Sequence, residues 1–194
     1  MKAISLCLAA LFGILTAGAA HSATVFADKT AFLSSLADGA YTETFSATNP
    51  PTYLLGGFGY TGSVSSGTIY DSGTFIGNFN STASMTLTFT TGNIYAVGGN
   101  FFVTDTNDVF VANPITVTLS DGTTDTFTPG SVNAFRGYIS TVPLTTLTLS
   151  ATSNGFFNTM DNFVVGAPIP EPAVTGLLLG TLGLALRRNR RRKA

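Results

Sequence analysis

Met85-Thr86-Leu87-Thr88-Phe89 alternates apolar side chains with threonine, residue by residue. Ile115-Thr116-Val117-Thr118-Leu119 repeats the pattern, and Leu147-Thr148-Leu149 repeats it in short form. A strand sends successive side chains to opposite faces, so a period of two gathers the apolar set on one face and the hydroxyls on the other. This is how an antiparallel sheet reads when one face meets a core and the other meets water. The three runs predict an all-β domain.

Outward from these runs, further strands are expected at Tyr41–Ser46, Gly57–Ser63, Thr74–Gly77, Ile94–Val103, Thr124–Thr128, Phe135–Ser140 and Asn162–Val165. Thr91-Gly92-Asn93, Ser120-Asp121-Gly122, Thr128-Pro129-Gly130 and Ser153-Asn154-Gly155 separate them as turns. Asp121-Gly122 between two alternating runs marks a hairpin. One helix is expected over Lys29–Ala37, capped by Asp28 and stopped by Gly39, with Phe32, Leu33 and Leu36 as its apolar stripe. Positions 24–167 hold 28 Thr and 15 Phe but one Lys and one Glu. Threonine and aromatics favour strands, and the common solvated helix formers are nearly missing. About ten short strands with regular turns predict a jelly-roll-like antiparallel β-sandwich with one short N-terminal helix. The absence of a Cys pair and of Trp argues against an immunoglobulin-like sandwich. The Gly/Ser-rich region Leu55–Ser84 is expected to form loops.

The formal net charge of −1 conceals a strong asymmetry. Between Thr24 and Ala167 the only basic residues are Lys29 and Arg136, against nine acids, which leaves a net charge of −7. Such a domain cannot neutralise a row of phosphates, so nucleic acid is excluded as a partner. The only His, His21, and the only Cys, Cys7, lie near the N-terminus. A domain without them has no Ser-His-Asp or Cys-His catalysis, no thiolate or imidazole metal site and no disulfide.

The two ends are addresses. Met1-Lys2, the apolar run Ala3–Ala17 and the small residues around Gly18-Ala19-Ala20-His21-Ser22-Ala23 form a secretory signal peptide, assigned to positions 1–23. Cleavage fits after Ala20 or after Ala23. At the other end, positions 168–194, the stiff segment Pro168-Ile169-Pro170-Glu171-Pro172 precedes the uncharged run Ala173–Leu186. Arg187, Arg188, Arg190, Arg191, Arg192 and Lys193 close the chain. Fourteen helical residues rise roughly 21 Å, short of the roughly 30 Å hydrocarbon core, and snorkelling arginines close part of the gap. Positive charge stays cytoplasmic, which leaves the acidic domain outside.

The motif Pro170-Glu171-Pro172, the short apolar helix and the Arg cluster, in that order, resemble the PEP-CTERM sorting signal of Gram-negative bacteria. Ile169 stands where Val is commoner in that family. The resemblance covers about the last 25 residues. It implies transient membrane insertion through the C-terminal helix and processing by an exosortase. It further implies export to the cell surface or an exopolysaccharide matrix. Glu43-Thr44-Phe45, Gly98-Gly99-Asn100-Phe101-Phe102 and Asp161-Asn162-Phe163 resemble, in style, the β-sandwich domains found ahead of such tails.

Chemistry is sparse. Glycoside hydrolysis needs two carboxylates across a cleft, and the domain has one Glu, Glu43, without the Glu-x-Asp-x-Glu strand motif of sandwich hydrolases. Most Asp residues, including Asp71 and Asp121, stand in turn contexts. No catalytic residue is assigned, and the chain is read as a non-enzyme. Calcium, which takes oxygen ligands, has two candidate sites: Asp105 and Asp108 in one loop, and Glu43 paired with Asp161 from the first and last core strands. Arg136 is expected to pair with an acid in preference to a sugar. The six Tyr residues and any exposed Phe could stack on sugar rings, with Tyr53, Tyr60 and Tyr70 in the Gly/Ser-rich region, but the usual sugar platform, Trp, is absent and core packing is the expected fate of most of these rings. The expected function is a structural or adhesive role with exopolysaccharide, with a calcium-dependent carbohydrate-binding module as the alternative.

Overall fold

The computed structural model describes residues 22–46, 52–55, 57–151 and 154–170. The expected signal peptide up to His21, and Glu171, Pro172, the apolar run and the basic cluster Arg187–Lys193, lie outside the described residues. Among the described residues no helix is long and apolar enough to cross a membrane.

The described chain forms β1 (Thr24–Phe26), α1 (Lys29–Ser34), β2 (Tyr41–Glu43), β3 (Thr52–Leu55), β4 (Phe58–Val64), β5 (Ile69–Asp71) and β6 (Ile76–Asn78). It continues through β7 (Met85–Phe89), β8 (Ala96–Thr104), β9 (Phe110–Val111), β10 (Ile115–Leu119) and β11 (Thr124–Phe127). It ends with β12 (Phe135–Ile139), β13 (Thr146–Ala151) and β14 (Phe157–Gly166). One sheet runs β1-β12-β8-β14-β6-β5, with β2 beside β14 and β9 beside β8. The other runs β11-β10-β13-β7-β4-β3. All pairings are antiparallel. The two sheets close on one core, an all-β sandwich as expected.

The alternating runs do what their period dictates. Met85, Leu87 and Phe89 of β7, Ile115, Val117 and Leu119 of β10, and Leu147 and Leu149 of β13 point inward. They meet Val97, Phe101 and Val103 of β8 and Met160, Phe163 and Val165 of β14 from the opposite sheet. The intervening threonines carpet the outer face. Thr86 and Thr148 share a 3.0 Å hydroxyl contact, and Thr116 and Thr126 one of 2.8 Å. The Asp121-Gly122 turn joins β10 to β11, with Gly122 at φ 94° and the Asp121 carboxylate accepting the Thr123 N–H at 2.9 Å.

The helix is shorter than expected. Asp28 caps it by accepting the Ala31 N–H at 2.6 Å, and Gly39 lies at φ 93° beyond it. The chain leaves the helix after Ser34 because Leu36 bridges to Pro168 and the Ala37 N–H donates to the Ala167 carbonyl. Tertiary pairing overrides helix propensity here. Phe32 and Leu36 are buried as expected, whereas Leu33 is exposed. Phe32 lands on the outer face of the first sheet, against Phe135, Ala96 and Val164. Gly98 and Gly137, directly paired across β8 and β12, make room for its ring.

Within the Gly/Ser-rich region 55–84, β4 and β6 fall on the strands expected at Gly57–Ser63 and Thr74–Gly77, while β5 forms where a loop was expected. Near the start, Ala23 is buried and its N–H donates to the Thr123 hydroxyl at 2.6 Å.

Candidate functional site

Odd-numbered residues of β8 enter the core, so even-numbered ones face outward. Ala96 and Gly98 lie under α1, and Thr104 lies at the far end of the strand, roughly 27 Å away at 3.4 Å per residue. There the outer face opens into a cleft of about 410 Å³. Its floor includes Gly77 of β6, and Thr104 and Thr159, whose hydroxyls contact at 3.2 Å. A Cβ at Gly77 would sit 2.9 Å from the Asn158 carbonyl oxygen, so only glycine fits there. The walls carry Tyr70, Phe75, Phe79 and Phe157. Tyr70 packs on Phe75 (6.0 Å) and on Phe79 (5.9 Å), and Phe75 packs on Phe102 (5.9 Å). Phe79 is 65% exposed, an apolar ring presented to solvent at the cleft mouth.

The loop between β8 and β9 supplies the polar rim. Asp105 Oδ1 accepts the N–H groups of Asn107 (2.8 Å) and Val109 (3.0 Å). These backbone donors hold its carboxyl below the ordinary value. Asp108 sits at φ 60° and accepts the Tyr70 hydroxyl at 2.8 Å. That hydrogen bond raises the Tyr70 pKa, with smaller contributions from desolvation and from the charges of Asp108 and Asp71. Asn78, 2% exposed, also lines the cleft. Its Nδ2 donates to the carbonyls of Asn80 and Ala83, and its Oδ1 has no hydrogen-bond partner.

Asp105 and Asp108 therefore both line one cleft, with Tyr70. Tyr60, by contrast, is buried in the core between Phe89 and Phe163, and the Tyr53 side chain lies outside the described residues. Phe75, Phe79, Phe157 and Asn78 were not singled out from sequence. The available signal was Phe79 between two asparagines in Gly77-Asn78-Phe79-Asn80, an isolated ring in a polar run.

Glu43 and Asp161 do come to neighbouring strands, since Glu43 pairs with Phe163. Each carboxylate serves the backbone beside it. Glu43 is buried, and it accepts the Phe45 N–H at 2.8 Å and the Tyr41 hydroxyl at 3.3 Å. This clasps a sharp turn in which Phe45, at φ 51°, enters the core. Asp161 accepts the N–H and the side-chain amide of Asn162, each at 2.6 Å, where Asn162 adopts φ 48°. A bulge in β14 lies there, and the strand changes partner from β6 to β2 across it. Burial raises the Asp161 pKa, partly offset by the Asn162 N–H and by Lys29. Among the described residues no three His, Cys, Asp or Glu form a group able to hold a metal ion.

Arg136 pairs with Asp125 at 3.5 Å and lies over the Phe127 ring at 4.4 Å. Tyr138 donates to the same carboxylate at 3.0 Å. The cluster ties β12 of one sheet to β11 of the other, and it is remote from the cleft-lining residues. Pro170 is exposed, and Ile169 donates its N–H to the Ser35 carbonyl, so the tail departs beside α1, at the end opposite the cleft. No family model matches the chain, and no curated protein matches it.

Proposed function

We propose that the chain is an exported, non-enzymatic protein of the cell surface or extracellular matrix that holds exopolysaccharide in the cleft between β5, β6, β8 and β14. The observation that carries this reading is the exposed Phe79 ring packed beside Tyr70, over a floor of threonine hydroxyls. Aromatic faces stack on the apolar faces of sugar rings, and hydroxyls and carboxylates take up the sugar hydroxyls. Export and sorting rest on the two terminal segments, including Pro170, Glu171 and Pro172, read as a PEP-CTERM signal handled by an exosortase. The tail and the cleft sit at opposite ends of β8, which suits display of the cleft away from a membrane. The connectivity, in which the chain repeatedly alternates between the two sheets, supports a jelly-roll-like description.

The test is binding of the full chain, in mild detergent, to immobilised polysaccharides. Phe79→Ala is expected to weaken retention about tenfold, equivalent to about 1.4 kcal/mol, without a change in melting temperature. Equal retention by Phe79→Ala would count against the cleft. A calcium-dependent carbohydrate-binding module is the alternative, and loss of binding on chelation would favour it. Deletion of 170–194 tests the address, since an unchanged location would remove the sorting proposal.

A further inference from the structure

Independently of the cleft and of the glycan reading, we infer that the outer face of the β11-β10-β13-β7-β4-β3 sheet is an ice-binding surface. Strand register lines up its hydroxyl side chains in rows. Thr124, Thr118, Thr148, Thr86 and Ser63 stand side by side across five strands. Thr146, Thr88 and Thr61 stand in the neighbouring row, two residues along each strand. Neighbours therefore repeat roughly 4.8 Å apart across the strands and roughly 6.8 Å apart along them. Neither row holds a charge or an aromatic ring. The one acid of these strands, Asp125, turns to the other face, where it meets Tyr138 and Arg136. A solvated sheet face ordinarily carries long charged side chains. Here the side chains are short and stiff at χ1. Hydroxyl contacts of 3.0 Å between Thr86 and Thr148, and of 2.8 Å between Thr116 and Thr126, tie neighbours together. Ordering them against a solid costs little side-chain entropy. A net that repeats in two directions is matched by a partner that repeats in two directions, which is a crystal face and not a soluble molecule. Crystalline polysaccharide offers apolar sugar faces that stack on aromatic rings, and these rows have none. Ice offers hydroxyl donors and acceptors on a net of closely similar repeats. Each threonine hydroxyl both donates and accepts, as a water in that net does. Sheet twist fans the rows outward, so the match is tightest over the three central strands β10, β13 and β7.

The experiment grows ice slowly from a solution of the full chain in mild detergent and compares the protein taken into the ice with that left in the liquid. Serum albumin in the same detergent is the non-binding control. The wild-type chain is expected in the ice at close to its starting concentration, and albumin is expected to stay in the liquid. Thr88→Tyr and Thr118→Tyr are expected to be excluded like albumin, because each lifts a ring off the plane. Both positions are exposed and tyrosine suits a strand, so their melting temperatures should match wild type. Phe79→Ala, in the cleft of the other sheet, is expected to enter the ice as wild type does. A wild-type chain left in the liquid overturns the inference. So does equal uptake of folded Thr88→Tyr and Thr118→Tyr, or capture of the wild type by crystalline cellulose or chitin in place of ice. None of these results bears on the cleft, whose own test is retention by polysaccharide.

Discussion

Gly137→Ala isolates the contact that seats the helix on the sheet. A Cβ built on Gly137 lies 2.5, 2.7 and 2.9 Å from Cδ2, Cγ and Cε2 of Phe32. The ring cannot swing away freely. It is fully buried, with Phe26 at 5.7 Å and Phe135 at 5.4 Å. Gly98 is no escape either, because a point at its Cβ position already lies 3.0 Å from the Phe32 ring. Gly137 has no positive φ to defend. Without Phe32, alanine there would be expected to stabilise by about 0.4–1 kcal/mol through the unfolded chain. Overpacking a filled site costs about 1–3 kcal/mol, so the clash decides the sign. The net expectation is a loss of about 1–2 kcal/mol, or about 3–7 °C in melting temperature for a domain of this size. Urea denaturation of wild type, Gly137→Ala, Phe32→Ala and the double variant forms the cycle. Phe32→Ala alone should cost about 3–5 kcal/mol, and in its background Gly137→Ala should become neutral or stabilising. A Gly137→Ala protein more stable than wild type, or the same loss in both backgrounds, would refute the contact.

Three further outcomes are expected. Glu43→Ala should destabilise by about 1–3 kcal/mol in chemical denaturation, because it leaves the Phe45 N–H without its acceptor beside a positive-φ residue; Glu43→Gln, which keeps an oxygen there, should lose less, and equal losses would count against the clasp. If the signal peptide is removed, intact mass should place the mature N-terminus at His21 and not at Thr24, because Ala23 is buried and hydrogen-bonded to Thr123. The Asp105 carboxyl titrates below its ordinary 3.8, so what it contributes to the loop is present above that pH and lost as pH falls through the lowered value; the amide proton shifts of Asn107 and Val109 should move together in that acid range and stay flat at neutral pH.

The sandwich was legible because its central strands bury one face and wet the other, as β7, β10 and β13 do with their Thr–apolar alternation. The strands that went unseen, such as β5 and β9, have three and two residues, too few to display a period. β3 is paired with β4, but Tyr53-Leu54-Leu55 does not alternate. The helix end was misplaced for a different reason: Leu36 answers to Pro168, far along the chain, and local propensity does not see it. Glu43 and Asp161 were rightly placed on adjoining strands, but sequence could not show that each carboxylate is spent on the backbone at a bend. The cleft was half legible. Asp105 and Asp108 were visible as one loop pair and Tyr70 only as one ring among six, while their convergence with Phe79 and Phe157 depends on β5, β6, β8 and β14 meeting on one outer face.

Nitrogen-15 NMR of the full chain, titrated with a soluble exopolysaccharide fragment, tests the central claim most directly. Shifts confined to Tyr70, Asn78, Phe79, Thr104, Asp105, Asp108 and Thr159 are the predicted result. Shifts confined to the threonine face of the opposite sheet, or no shifts at all, would contradict it.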